Sequence, residues 1–345
     1  MAVVCVAAAG FGPLAAQPFR AAFQTDSPQS DRRRHSRLDE ALKREGDALL
    51  EMTEHAVARR AVPADFRMQW KNDFFKAKPG TFVPFTLTVD RLLRPSPGAL
   101  IYVRVMNRSG SESGRRPADP LSYETIFSVE PELLSDEPFR VRRGFAVPPG
   151  SYTVYVALRE RPADLLARSS GERRAAVLVQ DLDVPDFWTD GLATSTVILA
   201  DRVEQLGESG PSERIEEDPY LVGTSRIHPA RDPVFRRGTE LIVVFLVYNP
   251  SVTPDKHFDV QVDYHLYRKL RQGQGERYVT RTNPQRFTLA MMGPHFDPAG
   301  GQPVLAGQGI LLSGFEEGDY RLGITVTDLL SRKTVSRDVA FTVVG

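Results

Sequence analysis

One short pattern occurs twice in this chain and constrains its fold more than any other feature. Residues 148–158 and 316–326 each contain a turn, a glycine, one small polar residue, a tyrosine and then a strand-like run. In Greek-key β-sandwiches, a tyrosine at such a corner donates its hydroxyl hydrogen to the corner's backbone and fixes the crossover between the sheets. Two corners predict two sandwiches. The predicted corner residues are Gly150, Tyr152, Gly318 and Tyr320.

An upstream match supports a duplication. A Gly-Thr pair at residues 80–81 precedes an apolar strand-like segment, and a second pair at residues 238–239 precedes another. The glycine of each pair lies a similar distance before its own corner glycine, 70 residues in one case and 80 in the other. Tandem domains leave spacing of this kind. The sequence therefore predicts an all-β fold of two tandem immunoglobulin-like or fibronectin-like sandwiches, preceded by one N-terminal helix.

Length and charge agree with this plan. A chain of 345 residues is long enough for two domains that each bury a core. Its 44 basic and 44 acidic residues leave no net charge, so it lacks the basic face of a nucleic-acid-binding protein. The 26 prolines and 41% apolar content are typical of a folded, loop-rich β protein.

The N-terminus predicts export. Residues 1–16 resemble a signal peptide, because the apolar run Ala2 to Ala9 is followed by a small-residue cleavage pattern. The run is too short to cross a bilayer, so no transmembrane span is expected. The single cysteine, Cys5, lies inside this segment. A mature periplasmic or extracellular chain would then have no disulfide and no thiolate chemistry.

The remaining predicted boundaries follow from composition. We predict a disordered leader at 17–37, a helix at 38–60, the first sandwich at 63–185 and the second at 186–345. One apolar stripe, interrupted by Glu45, indicates the helix, and its members are Leu38, Leu42, Leu49, Met52 and Ala56. The stripe can pack on the first sandwich or on a partner helix, and a glycine and a glutamate in the stripe favour the sandwich.

A family resemblance lies between the two predicted sandwiches. The run from Gly150 through residues 181–187 to residues 192–195 resembles the β-sandwich tail behind the von Willebrand A-type domain of uncharacterised secreted bacterial proteins. The resemblance implies a sandwich fold and export, and it assigns no activity. The chain lacks the A domain itself, because no Asp-x-Ser-x-Ser motif occurs in it. Metal-dependent adhesion is therefore not implied.

Catalytic and metal motifs are missing from the sequence. It has no Gly-x-Ser-x-Gly elbow, no His-Glu-x-x-His helix and no phosphate-binding glycine loop, so we predict no enzyme and no cofactor. One polar row is the strongest metal candidate, although a solvent-facing row of an edge strand has the same pattern. Its members are His257, Asp259, Asp263 and His265. Asp181 with Asp183, or Asp255, are weak calcium candidates.

Aromatic residues leave two interpretations open. They can form a flat platform that stacks on sugars, or they can fill the sandwich cores. The residues concerned are Trp70, Trp188, Tyr220, Tyr264, Tyr267 and Tyr278. Phe187 and Trp188 lie at the predicted domain boundary, where we predict that they form an interdomain wedge.

Three functions therefore remain, in this order. The first is a non-catalytic exported interaction or scaffold protein that binds a protein partner through sandwich loops or strand edges. The second is a pair of carbohydrate-binding modules, and the third is an uncharacterised hydrolase with converging polar residues. The predicted localisation is the bacterial periplasm or the extracellular space.

Overall fold

The computed structural model describes most of the chain beyond residue 28. The described residues are 29–78, 80–90, 98–108, 121–129, 138–161, 173–206, 215–270, 275–292, 296–298 and 300–345, with 29–42 described as backbone only. The predicted signal segment 1–16 and residues 17–28 of the predicted leader lie outside this set. Within the described ranges, no helix combines the length and the apolar character that a membrane crossing requires.

Strands dominate the described residues, and the long helix α1 precedes them. In chain order, the elements are α1 (Gln29–Val57), β1 (Arg67–Asn72), β2 (Phe75–Lys76), β3 (Thr81–Asp90), β4 (Ala99–Asn107), β5 (Leu121–Val129), β6 (Phe139–Val147), β7 (Gly150–Glu160), β8 (Ala175–Val184), β9 (Ala193–Thr194), β10 (Ile198–Gln205), β11 (Leu221–Val222), β12 (Ser225–Pro229), β13 (Val234–Arg236), β14 (Glu240–Tyr248), β15 (Asp259–Lys269), β16 (Glu276–Arg281), β17 (Gln285–Thr288), a 3-10 turn (Leu289–Met291), β18 (Val304–Leu311), β19 (Gly318–Asp328) and β20 (Thr334–Val344). This confirms the predicted all-β class with an N-terminal helix.

The chain divides into two compact units. The N-terminal unit contains the described residues up to Asn72 and then Pro79–Asp186, and the C-terminal unit contains Asp73–Lys78 and Phe187–Gly345. Residues 73–78, which the sequence analysis assigned to the first sandwich, therefore belong to the second unit. Their anchors explain this: the hydroxyl of Tyr220 donates to Asp73 at 2.7 Å, and the Lys76 amide donates to the hydroxyl of Tyr248 at 3.0 Å.

The N-terminal unit is a sandwich of two antiparallel sheets. One contains β1, β3 and β6 in that order, and the other has the order β5-β4-β7-β8. Trp70 of β1 stacks on Phe85 of β3 with ring centroids 4.2 Å apart. Tyr123 of β5 stacks on Phe145 of β6 at 5.1 Å and so joins the two sheets in the core.

Helix α1 packs on the outer face of the second sheet of this unit. Leu49 is fully buried against Leu100, Tyr102 and Ala157. Sequence analysis predicted this location but took Glu45 as a break in the stripe. In the structure Glu45 is buried and forms ion pairs with two arginines, Arg159 at 3.1 Å and Arg173.

The helix is longer at its start than the pattern predicted. It begins at Gln29 instead of residue 38, and it ends at Val57 instead of residue 60. Residues 29–37, predicted as part of a disordered leader, are therefore helical. Four arginines and a glutamine in this segment are good helix formers, so a helix can form there without an apolar stripe.

The C-terminal unit repeats the same plan with extra strands. Its sheets have the orders β11-β12-β10-β14-β18, with β9 on β14, and β13-β20-β19-β15-β16, with β17 on β15. The pair β13–β20 is parallel and the other pairs are antiparallel. Alternate residues of both sheets form one core, with Phe245, Tyr264 and Ile324 among its buried members.

The strand orders of the two units correspond. The order β1-β3-β6 matches β10-β14-β18, and β5-β4-β7-β8 matches β16-β15-β19-β20. The corner strands β7 and β19 occupy the same place in their sheets, which is the topology that a tandem duplication would produce.

Candidate functional site

The two predicted corners have the same geometry. The hydroxyl of Tyr152 donates to the carbonyl of Pro148 at 2.8 Å, and that of Tyr320 donates to the carbonyl of Glu316 at 2.6 Å. The glycine two residues before each tyrosine has a positive φ, 151° at Gly150 and 145° at Gly318, where a side chain would be strained. Burial raises the pKa of both tyrosines. These residues stabilise the fold and face the core.

The predicted interdomain pair lies within the C-terminal unit. Phe187 is buried against Tyr248, with ring centroids 5.1 Å apart. The indole nitrogen of Trp188 donates to the Ala77 carbonyl at 3.0 Å, and the Lys76 ammonium lies 4.3 Å from the indole centroid. Trp188 therefore helps to hold residues 73–78, and a lysine covers one of its ring faces.

The carboxylates of the candidate metal row form hydrogen bonds with other side chains. Asp259 pairs with Arg286, and hydrogen bonds from Arg286 lower the pKa of Asp259. Asp263 accepts from Gln261 at 2.9 Å. His257 precedes β15 and lies in an exposed turn. Among the residues whose side chains are described, no three His, Cys, Asp or Glu side chains converge as a metal site would require.

The weak calcium candidates have other neighbours. Asp181 and Asp183 both lie on the exposed side of β8, and Arg108 reaches them at 2.9 Å and 3.3 Å. Asp255 lies 3.9 Å from the His257 ring in an exposed turn. The arginine supplies the positive charge that a calcium ion would bring to the first pair.

The candidate aromatic platform separates into core and surface residues. Tyr220 and Tyr264 are buried, and Trp70 stacks on Phe85. Only the neighbours Tyr267 and Tyr278 lie together on the solvent side of the second C-terminal sheet, with ring centroids 5.7 Å apart.

Three connecting loops meet at one end of the C-terminal sandwich, and we name this surface the loop end. They are residues 249–258 between β14 and β15, the described residues 289–292, 296–298 and 300–303 between β17 and β18, and residues 329–333 between β19 and β20. Ser251 of the first loop donates its amide to Asp328, at the base of the third, at 2.8 Å. The Lys256 ammonium lies 3.6 Å from the carboxylate of Asp297 in the second.

The third loop is held in one conformation by Asp328. This carboxylate is 1% exposed. Besides the Ser251 amide, it accepts from the Leu330 amide at 2.9 Å and from both the amide and the hydroxyl of Ser331, at 3.2 Å and 2.7 Å. Burial alone would raise the pKa of Asp328, but the hydrogen bonds from Ser251 and Ser331 lower it below its usual value.

The rigid turn exposes two large apolar side chains. Leu329 is 38% exposed and Leu330 is 44% exposed. Arg332 and Lys333 follow them directly and are also exposed. A turn that is fixed by a buried carboxylate and exposes adjacent leucines has the composition of a contact site, because bound apolar side chains contribute most when their loop is already ordered.

The sequence analysis did not recognise this site. Its signal is an aspartate followed by Leu-Leu-Ser, in which the aspartate can accept from amides two and three residues on. Such a pattern marks a turn, while the exposure of the leucines depends on tertiary packing and is not visible in it.

The chain matches no protein-family model and no curated protein sequence. Among solved structures, it is similar to trypsin-activated alpha-2-macroglobulin from Escherichia coli, at 12% identity and a TM-score of 0.23, over 81% of this chain and 17% of that one. It is also similar to a mutant of Salmonella alpha-2-macroglobulin, at 10% identity and a TM-score of 0.22, over 82% of this chain and 17% of that one.

Similarity at this level carries no argument about function. This chain spans 17% of the length of each of these two macroglobulin chains. The β-sandwich fold therefore rests on the strands and sheets described above. Both neighbours are bacterial alpha-2-macroglobulins, so the resemblance to the tail of A-type-domain proteins stays a prediction.

Proposed function

We propose that this protein is a non-catalytic, exported interaction protein of the bacterial envelope or secretome, which binds a protein partner through the loop end of its C-terminal sandwich. The observation that carries this proposal is the exposure of Leu329 and Leu330 on a turn that Asp328 fixes. Sandwich domains commonly place binding residues on loops at one end of a rigid scaffold.

The composition of the loop end favours a protein over a lipid surface. A loop that inserts into an anionic bilayer surrounds its apolar residues with cations. Here the cations Arg332 and Lys333 share the loop end with two carboxylates, the exposed Asp255 and the partly exposed Asp297. Those carboxylates would be repelled by anionic lipid, whereas a protein partner can match both signs of charge.

A capture experiment with matched variants tests the proposal. The full chain is immobilised and exposed to the secreted and envelope proteins of its source cells, and a captured protein is then purified for a titration by calorimetry. We expect the double variant Leu329→Ser/Leu330→Ser to bind this partner at least about tenfold more weakly, because the contact loses two apolar anchors.

The matched control is Leu311→Ser. Leu311 is 63% exposed and lies at the opposite end of β18 from the loop end, where it pairs with Glu240. The Leu311→Ser variant should bind the partner with the affinity of the wild type. Equal affinity of the double variant and the wild type would contradict the proposal, as would binding of the chain to anionic vesicles in place of a protein.

A further inference from the structure

A second surface lies on the outer face of the sheet that contains β16, β15, β19 and β20, and we name it the tyrosine face. Two cross-strand rows form it. Tyr278, Tyr267 and Arg321 lie opposite one another in the first row. In the next row, His265 lies opposite Gly323, and Gly323 lies opposite Asp338.

Tyr278 supplies the exposed ring of this face. It is 51% exposed and lies on the edge strand β16. Tyr267 meets it at an interplanar angle of 70°, and the Arg321 guanidinium lies 4.2 Å from the centroid of Tyr267. The ring face of Tyr267 is therefore covered, and Tyr278 is the ring on which a ligand can stack.

Gly323 lies directly beneath the ion pair of Arg321 and Asp338, beside the ring of Tyr267. A Cβ atom at this position would lie 3.1 Å from Nη1 of Arg321 and 3.4 Å from Oδ1 of Asp338. Glycine in a strand interior weakens the strand and often marks the close approach of a ligand. At the equivalent position of the N-terminal sandwich, three residues along the strand from its corner tyrosine, the chain has Tyr155.

The charged side chains of the face are of both signs, and some of them form ion pairs with one another. Arg321 donates to Glu276 at 2.8 Å and to Asp338 at 2.6 Å. The carboxylates keep free lone pairs for hydroxyl donors, since each has about four acceptor positions. Arg281 and Lys269 add two cations and Asp263 adds a third carboxylate, so three cations balance three carboxylates, and the face does not select a charged ligand.

We infer that the tyrosine face binds a neutral polysaccharide. One sugar ring stacks its apolar C–H side on Tyr278, and hydroxyl groups further along the chain donate to the carboxylates of Glu276 and Asp338. Neighbouring strands lie about 4.8 Å apart, so the three steps from β16 to β20 span about 14 Å, a length suited to an oligosaccharide segment.

The rest of the face supports a hydroxylated ligand over an apolar one. The next aligned row of the same outer face contains Asp263, Thr325 and Ser336. These side chains form hydrogen bonds with water or hydroxyl groups and offer no apolar surface to a helix or to a protein core. A ligand on this face must therefore carry its own hydrogen-bonding groups.

Affinity electrophoresis in native gels provides the test. The full chain is run through gels that contain xylan, a soluble β-1,3-glucan or glucomannan, with polygalacturonate as the charged probe. We expect at least one neutral polysaccharide to retard the wild type. Tyr278→Ala should weaken this binding at least about tenfold, because it removes the stacking ring.

Gly323→Tyr is the second variant. It introduces the residue found at the equivalent place in the N-terminal sandwich. Its side chain would displace the Arg321–Asp338 pair that lies over Gly323, so it should also abolish retardation. Met291→Ala, which changes a residue that is 52% exposed in the 3-10 turn, is the control and should be retarded like the wild type. Thermal melting would verify that all variants are folded.

Three results would overturn the inference. They are the lack of retardation by every neutral polysaccharide, retardation by polygalacturonate alone, and unchanged retardation of both Tyr278→Ala and Gly323→Tyr. None of them affects the proposed protein contact at the loop end, because Leu329 and Leu330 are not part of the tyrosine face.

Discussion

The two sandwiches share a strand order but differ in how they use the outer face of the corresponding sheet. In each sandwich, the corner tyrosine and the residues opposite it on the two neighbouring strands form a row. Five residues away from this row along each strand, the N-terminal sandwich has Tyr102, Ala157 and Val177 side by side. At the same distance from its corner tyrosine, the C-terminal sandwich has Asp263, Thr325 and Ser336 side by side. Helix α1 packs on the first row, and the second row is polar.

This difference shows that one topology can support two kinds of surface. The apolar row requires a cover, because an exposed apolar sheet face invites association, and the helix supplies that cover. The polar row needs none. The C-terminal sandwich therefore keeps a polar outer sheet face, while its core residues follow the same alternation as those of the N-terminal sandwich.

The largest loss of stability is expected where helix α1 contacts the N-terminal sandwich. Leu49→Ala removes a side chain that is fully buried between α1 and the apolar row. We expect the free energy of unfolding of the N-terminal sandwich to fall by about 3 kcal/mol, which lies within the range for such truncations. Each unit contains one of the two tryptophans, so fluorescence of Trp70 in a Trp188→Phe background measures this loss.

The C-terminal sandwich is the internal control for this variant. Hydrogen exchange measured by mass spectrometry should show faster exchange in α1, β4 and β7, with β15 and β19 unchanged. Equal protection of α1 in the wild type and Leu49→Ala would show that the helix does not depend on this contact, and the comparison between covered and open faces would fail.

The second largest loss of stability is expected at the turn that exposes Leu329 and Leu330. Asp328→Asn replaces one carboxylate oxygen by an amide nitrogen, which cannot accept from the Ser251 or Ser331 donors. We expect the C-terminal sandwich to lose about 2 kcal/mol, the usual range for buried donors left without a partner. Urea unfolding with Trp188 as the reporter measures it, and the N-terminal sandwich should be unaffected.

The pH dependence of stability gives a separate prediction about Asp328. Its folded-state pKa is lowered, so its contribution to stability is present above the pKa of the unfolded state, about 3.9, and is lost as the pH falls through the lower folded value. Between pH 5 and pH 2, the C-terminal sandwich of the wild type should lose more stability than that of Asp328→Asn. Parallel pH profiles of the two proteins would contradict the proposed role of this carboxylate.

The two corner tyrosines should produce a smaller effect of equal size. Tyr152→Phe and Tyr320→Phe each remove one hydroxyl and leave a backbone carbonyl without its donor. We expect a loss of about 1 kcal/mol or somewhat more, confined to the sandwich that carries the change. The double variant should show the sum of the two losses in separate transitions, and no loss at either position would argue against equivalent corners.

Local patterns explain why the sequence predicted most strands. In β3, β4 and β6, turn residues bound apolar runs of strand length, and such runs are visible without any knowledge of the fold. Glu45 was misread since an apolar stripe does not reveal that two arginines distant in sequence, Arg159 and Arg173, approach it.

The candidate sites were less visible in the sequence for a related reason. The pairing of Tyr267 with Tyr278 depends on a bulge in β16 that shifts the register, and no periodicity rule predicts where such a shift occurs. The exposure of Leu329 depends on the carboxylate of Asp328 and on Ser251, which lies 77 residues earlier. Both sites are products of long-range contacts, whereas the corners are local.

The smallest change in stability is expected in the polar row Asp263, Thr325 and Ser336, and this prediction tests the comparison most directly. Ser336→Val introduces into the C-terminal sandwich the residue that occupies the equivalent position, Val177, under α1. We expect a change in stability within about 0.5 kcal/mol, because an exposed face gains no packing from one extra apolar side chain. The reciprocal Val177→Ser should cost more, since that side chain packs against the buried cluster beneath the helix. Chemical unfolding of both variants measures the two values. If they were equal, the apolar row would contribute nothing as a helix-binding surface, and the difference between the sandwiches would lie in their loops alone.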